Sequence, residues 1–302
     1  MQSGLVFIIN SLKKLSSGIR QLMEDREIMS LYDETTIFRT EYHGHAIDLA
    51  EKAACSGMQM CVAIGGDGTF NEVVNGILKT GRTDIILVLI PNGSGNDFCR
   101  ARHAVFTFER LKKSILGREF RSYDAAVIRY EGSQQERYFL NIADIGLGGY
   151  TATLFGEQRK WGLPGSLSYT ISIVRSFLGF SKPEATIICD GNEIYHGKLM
   201  MTAICNSSTF AGGVVIHPGA DPADGLLNLT VVGDVTLWAY LSNFFNLKAG
   251  KVLSHPGITY HTARSVRIAI RGEQNRMEAD GEVFGRGNAV VEVLPAALRI
   301  IV

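Results

Sequence analysis

The chain is short of several features that would have placed it quickly. Thirty basic residues balance thirty acidic ones. No global field therefore draws in nucleic acid, and no long basic run offers a DNA footprint. Only five cysteines occur, Cys55, Cys61, Cys99, Cys189 and Cys205. None forms a Cys-x-x-Cys pair, and an odd number in a long chain argues against a disulfide framework or a zinc site. Cys61 and Cys205 lie in apolar runs and are expected as small core residues. No apolar run reaches the ~20 residues that a membrane-spanning helix needs. The N-terminus carries no basic stretch followed by a cleavage site, so no secretory signal is expected. Internal repeats and low-complexity segments are absent as well. The expectation is a cytoplasmic protein whose contact with a membrane is peripheral.

What is present begins with size. A length of 302 residues, 46% of them hydrophobic, predicts two domains with proper cores. Over the first ~125 residues, strand-like and helix-like segments alternate as in βαβ units. Strands are expected at Leu5–Asn10, Thr35–Arg39, Met60–Ile64 and Ile85–Pro91. Helices are expected at Ser16–Asp25, His45–Ser56 and Phe70–Lys79. After Arg121 the pattern changes to short strands between turns: Ala125–Tyr130, Tyr138–Ile145, Ala185–Asp190, Leu199–Asn206, Leu226–Val232, Ser265–Ile270 and Ala289–Leu294. Such spacing predicts an antiparallel sandwich or barrel, interrupted by helices near Leu167–Leu178 and Leu237–Leu247.

The most informative stretch is Gly65-Gly66-Asp67-Gly68-Thr69, at the end of an apolar strand and the start of a helix. Glycines allow a close backbone approach to a ligand, and free N–H groups at a helix start favour an anion. Asp67 offers oxygen for Mg²⁺. Thr69 and Glu72 have the spacing of a capping box. Alone, the turn is equally well a tight strand–helix connection. A second strand ends the same way, in Asn92-Gly93-Ser94-Gly95-Asn96-Asp97. In open α/β sheets ligands bind outside the carboxyl ends of the strands, so two such loops would face one crevice.

Together these motifs resemble the diacylglycerol kinase catalytic-domain family, in its soluble bacterial lipid-kinase branch. Other matching segments are Asn10 with Ser17-Gly18, Thr40 with Gly44-His45-Ala46, and Asp124. Further along come Asn141 through Gly146, Asn206 with Gly212-Gly213, Asp224-Gly225 and Asp280-Gly281-Glu282. The resemblance covers essentially the whole chain. Ser11 stands where the family has a proline, and Ala223 where some relatives carry an acidic residue.

The resemblance implies a three-layer α/β nucleotide-binding domain over 1–123 and a β-rich, sandwich-like lipid-substrate domain over 124–302, with the nucleotide in the cleft between them. It implies ATP and Mg²⁺ as cofactors and a lipid hydroxyl as acceptor. Phosphoryl transfer needs positioned phosphates, Mg²⁺ and a group that orients or deprotonates the acceptor. Asp67 is the candidate for catalytic Mg²⁺. Gly65, Gly66, Gly68 and Thr69 are candidate phosphate contacts. Asn10, Thr40, Asn71 and Glu72 are candidate nucleotide contacts, with Gly93, Ser94, Asn96 and Asp97 on the opposite lip. Asp280 is the candidate general base and Glu282 a further nucleotide contact, although Asp-Gly alone reads as a hairpin turn. Asp124 is expected in a charge network with a lysine such as Lys14 or Lys160. A second, structural Mg²⁺ site would use the Asp224 carboxylate with the carbonyls of Asp221 and Leu226.

Gly146-Leu147-Gly148-Gly149 lacks the βαβ context of a dinucleotide fingerprint. The helix face Trp238, Leu241, Phe244, Phe245, Leu247 is expected to pack in a core, with membrane docking as the alternative. Nucleic acid is not expected as a partner, and a homodimer is left open. Two rival readings remain: a soluble-substrate kinase of the NAD kinase or 6-phosphofructokinase type, which share the Gly-Gly-Asp-Gly turn, and a catalytically silent lipid- or nucleotide-binding regulator.

Overall fold

The computed structural model describes residues 4–12, 14–102, 106–158, 165–210, 213–272 and 276–302. The chain divides into two compact units, one of Met1–Ala125 with Leu294–Val302 and one of Ala126–Val293. The division at 123/124 that the resemblance implies places Leu294–Val302 in the second domain, whereas they join the first unit.

In the first unit the order is β1 (Gly4–Asn10), α1 (Ser17–Met23), α2 (Arg26–Met29), β2 (Glu34–Thr40), α3 (His45–Cys55), β3 (Met58–Gly65), α4 (Asp67–Lys79), β4 (Ile86–Pro91), α5 (Asp97–Ala101) and α6 (Phe108–Leu116). Strands β2, β1, β3 and β4 lie side by side and all pair in parallel. Helices cover both faces of a parallel sheet, so its strands read as continuous apolar runs. Leu5, Phe7 and Ile9 of β1, with Met60, Val62 and Ile64 of β3, pack against Leu22 of α1, Ile28 of α2 and Ile115 of α6. The alternate residues point the other way by the two-residue period of a strand, toward α3 and α4, which pack on β1 and β3 and on each other. Each of these fully buried side chains contributes on the order of 1.5–3 kcal/mol of transfer free energy.

The second unit follows as β5 (Arg121–Tyr130), which begins in the first, then β6 (Glu136–Phe139), β7 (Ile142–Gly146), α7 (Leu147–Gln158) and α8 (Gly165–Gly179). Next are β8 (Glu184–Cys189), β9 (Asn192–Lys198), β10 (Met201–Cys205), β11 (Thr209–Phe210), β12 (Val214–Val215) and β13 (Leu227–Val232). The chain ends with α9 (Leu237–Lys248), β14 (Ile258–Ala263), β15 (Ser265–Ile270), β16 (Arg276–Ala279), β17 (Glu282–Arg286) and β18 (Ala289–Ile301). Six strands form one antiparallel sheet in the order β14-β13-β10-β7-β16-β17. Strands β9, β8, β15 and the first half of β18 form a second antiparallel sheet. Ile145, Ile204, Leu229 and Met277 of the first meet Ile187, Val266, Ile268 and Val291 of the second in one buried core. That is a β-sandwich, as the turn-punctuated sequence predicts.

Three sequence expectations need correction, and one segment left unassigned is placed. The single strand expected over Tyr138–Ile145 is two, β6 and β7, broken at Leu140-Asn141. The last strand does not stop at Leu294 but runs to Ile301, where Arg299–Ile301 pair in parallel with Ile86–Val88 of β4. The glycine cluster Gly146–Gly149 is the entry to helix α7. Trp238 is 81% exposed rather than packed in a core, while the side chains of Leu241, Phe244, Phe245 and Leu247 lie outside the described residues.

Candidate active site

The two glycine loops are joined by one carboxylate. Strands β3 and β4 leave the sheet together, and the Asn92 N–H still donates to the Gly65 carbonyl at 2.6 Å. Asp67, in the first turn of α4, accepts the backbone N–H of Asn96 on Oδ2 and of Asp97 on Oδ1, both at 2.6 Å. These are the orphan donors at the start of α5, and a carboxylate is a strong acceptor for them. Asn96 holds its own loop closed: its Oδ1 accepts the Gly93 N–H at 3.1 Å and its Nδ2 donates to the Gly93 carbonyl at 3.0 Å.

The loops touch backbone to backbone. A Cβ at Gly93 would lie 2.5 Å from the Gly66 Cα, and one at Gly66 would lie 3.1 Å from the Gly93 Cα. Only glycine permits that approach. Gly93→Ala should therefore part the loops and, as an overpacking change, destabilise the fold by about 1–3 kcal/mol. Thermal unfolding measures this. Gly18→Ala, where no atom lies within 4 Å of the added carbon, is the control and should not lower the melting temperature.

Other predicted residues gather at the same strand ends. Asn10 closes β1, where its Nδ2 donates to Thr69 Oγ1 at 3.0 Å and its Oδ1 accepts the Leu12 N–H at 3.0 Å. Thr40 closes β2, and its hydroxyl accepts the Ser11 N–H at 3.4 Å. The Ser94 carbonyl accepts from Arg100 at 3.3 Å. Asn71 is buried in α4, where its carbonyl and Oδ1 both accept from Asn75 Nδ2.

The capping box expected of Thr69 and Glu72 is not formed. Helix α4 starts at Asp67 with Gly66 as its N-cap, which leaves Glu72 in the second turn. Its carboxylate instead accepts the N–H groups of Gly44 at 3.0 Å and Ala46 at 3.1 Å. Glu72 thus caps α3 and fixes the Gly44-His45-Ala46 segment against α4. Asp124, expected beside a lysine, is buried and accepts the Ala296 N–H at 2.7 Å, at a point within β18 where Ala296 adopts φ +49°. Lys160 lies outside the described residues.

Asp280 and Glu282 belong to the second unit. Asp280 and Gly281 form the two-residue turn between β16 and β17. The Asp280 carboxylate reaches the break between β6 and β7. There Oδ2 accepts the Leu140 N–H at 2.8 Å, and Oδ1 accepts those of Asn141 at 3.0 Å and Ile142 at 3.2 Å. Three donors on one carboxylate fix its position. Asn206 secures the same break, with Nδ2 donating to the Leu140 carbonyl and its N–H to the Asn141 carbonyl, both at 2.8 Å. Glu282 forms an ion pair with Arg137. Asp221, Asp224 and Leu226 lie in one exposed turn before β13, where Asp224 Oδ1 accepts the Leu226 N–H at 2.9 Å and the Asp221 carbonyl accepts the Asp224 N–H at 3.4 Å.

Sequence reasoning passed over Asp144 and Glu278. They stand directly opposite each other on β7 and β16. The available signal was Asp144 inside the otherwise apolar strand Ile142–Gly146.

Comparison with known proteins decides the family. Residues 4–128 match the diacylglycerol kinase catalytic domain, and residues 149–302 match the domain described as the YegS C-terminal NAD kinase beta sandwich-like domain. A diacylglycerol kinase of Staphylococcus haemolyticus is 30% identical over 84% of this chain and 74% of its own length. The chain belongs to the diacylglycerol kinase family. A diacylglycerol kinase of Staphylococcus carnosus is 29% identical over 84% of this chain and 79% of its own. The diacylglycerol kinase fold extends over the whole chain. A putative diacylglycerol kinase from Bacillus anthracis superposes with a TM-score of 0.75 at 22% identity, covering 99% of this chain and 97% of the other. An NAD kinase from Archaeoglobus fulgidus in complex with ATP gives 0.51 at 12% identity, covering 97% and 90%. These structural likenesses bear on the fold. Among the described residues, no helix is long and apolar enough to cross a membrane.

Proposed function

We propose that this diacylglycerol kinase family member is an ATP- and Mg²⁺-dependent lipid kinase that acts at the cytoplasmic surface of a membrane. It transfers the γ-phosphoryl group to a lipid hydroxyl, with diacylglycerol, giving phosphatidate, as the first substrate to test. The observation that carries this reading is the pair of glycine loops drawn together by Asp67. Backbone N–H groups in such loops hold phosphate oxygens without a side chain in the way. Asn10 and Thr69, already bonded to each other, line the strand ends beside them.

The donors at Asp67 and in the Asp221–Leu226 turn are all oxygen, which suits Mg²⁺. Asp67 would hold the catalytic ion, through water, and Asp224 with the carbonyls of Asp221 and Leu226 the structural one. When bound, catalytic Mg²⁺ neutralises charge on the phosphates. Asp280 accepts the proton of the acceptor hydroxyl as general base, held in place by the three N–H donors of Leu140, Asn141 and Ile142. Glu282, through Arg137, braces the far side of the same turn.

The test is transfer of labelled γ-phosphate from ATP, with Mg²⁺, to diacylglycerol, phosphatidylglycerol, ceramide, sphingosine and monoacylglycerol in mixed micelles, with NAD as the soluble acceptor. A labelled lipid establishes the activity and names the acceptor. Label in NAD alone overturns the lipid assignment in favour of the soluble-substrate kinases. Label in none, with ATP still bound, favours a silent binder.

A further inference from the structure

The six-stranded sheet of the second unit has an inner face in the sandwich core and an outer face. On β7, Ala143 and Ile145 point inward, so Asp144 points outward. Helix α7 packs over that outer face against β7 and β16. Asp144 is 5% exposed. Glu278 stands directly opposite it in the register, on the same face of the sheet. Asp144 Oδ1 also accepts the Gly149 N–H at 3.0 Å. The chain folds tightly onto this carboxyl group, since a Cβ at Gly148 would lie 2.1 Å from Asp144 Oδ2. Glu278 lies two residues before the candidate base, and Asp144 two residues after Ile142, whose N–H that base accepts.

Two buried carboxyl groups facing each other across neighbouring strands do not both ionise. Burial, and then the neighbouring Glu278 charge, push the Asp144 carboxyl well above the usual carboxylate range, and burial raises Glu278 as well. The proton sits on the more deeply buried Asp144. The groups facing the pair are few. Cys205 lies on the outer face of β10 with Ala203, opposite Ile142 of β7, and burial raises its thiol. Asp280 follows Glu278 on its own strand. Arg276, two residues before it, has its guanidinium bonded to Thr153 Oγ1 of α7 at 2.7 Å.

We infer that Asp144 and Glu278 share one proton and act as a positioning pair for Asp280, holding β7 and β16 together next to the Asp280-Gly281 turn. This rests on the assignment of Asp280 as the base. Loss of the shared proton sets two like charges side by side and loosens the turn, so turnover falls as pH rises through the titration of the pair. Asp144→Asn supplies an N–H donor to Glu278 that does not titrate at these pH values, and keeps an acceptor for Gly149.

The experiment follows three readouts across pH. Infrared spectra of the full chain at neutral pH should show a protonated carboxyl band that Asp144→Asn removes. The Gly281 amide resonance should move with pH in the wild type and stay still in Asp144→Asn. On the lipid acceptor found above, Asp144→Asn should keep kcat within about threefold at neutral pH and lose the alkaline decline. Asp144→Ala should lower kcat about tenfold with the KM for ATP unchanged. Absence of the band, or a Gly281 amide that titrates identically in both proteins, overturns the shared proton. An unchanged alkaline limb in Asp144→Asn, with the band gone, overturns the positioning role. If the wild type turns over no acceptor, the reading of function fails, while the band and the Gly281 amide still decide the pair.

Discussion

Asp280→Asn should lower kcat by about 10²–10⁴-fold, the usual contribution of a positioned proton acceptor, while ATP affinity stays near that of the wild type. The structure adds a second consequence. The native carboxylate receives three backbone N–H groups from Leu140, Asn141 and Ile142. An amide in its place turns an NH₂ toward at least one of these donors. A buried donor left without an acceptor costs about 1–3 kcal/mol, so the melting temperature should fall by several degrees as well. The two effects separate cleanly. Turnover is measured at a temperature where near-ultraviolet circular dichroism shows the variant folded. Wild-type kcat in a folded but less stable protein would mean that Asp280 is a brace for the β6–β7 break and not the base.

Asp67→Asn is the second large effect. Asp67 joins its own glycine loop to the second, through short charge-assisted bonds to Asn96 and Asp97, 29 and 30 residues downstream. Bonds to a charged group are worth about 1.5–3 kcal/mol each. An amide keeps one of them and opposes the other. The lip carrying Asn96 and Asp97 then shifts against the lip carrying Gly66. A displacement on the order of 1 Å in the parts that position phosphate costs about 10²-fold in rate. The variant should lose about that factor in kcat/KM for ATP and require more Mg²⁺ for half-maximal activity. The fold should persist, because β1, β3 and β4 keep their buried core. Unchanged ATP and Mg²⁺ dependence in Asp67→Asn would remove Asp67 from the phosphate and metal machinery.

Much of the first unit is legible in the sequence because its strands are apolar on both faces and its helices keep a helical period. The elements expected there begin and end within two residues of expectation, except that α4 begins three residues early, at Asp67. The short helices α2, α5 and α6 were not expected. The capping-box reading failed because spacing names a possible partner and not the partner chosen. Glu72 found two N–H groups on α3, 26 and 28 residues away, where no local pattern points. In the second unit, β9, β14, β16 and β17 escaped the sequence reading. Their inward residues are interleaved with charged and polar ones, as in Arg276–Ala279, where only Met277 and Ala279 reach the core.

The sequence by itself determined the two-part architecture, the glycine loops at strand ends and the family, because periodicity, turn chemistry and motif spacing are local properties. Tertiary structure alone decided what each carboxylate holds. Asp67 draws two loops together, Glu72 caps a neighbouring helix, Asp280 carries a strand break some 140 residues back, and Asp144 meets Glu278. It also decided that the last residues, Leu294–Val302, join the first unit. A hydrogen-bond partner is set by the register of strands and the seating of helices brought together from distant parts of the chain, and that register is written in no single segment of it.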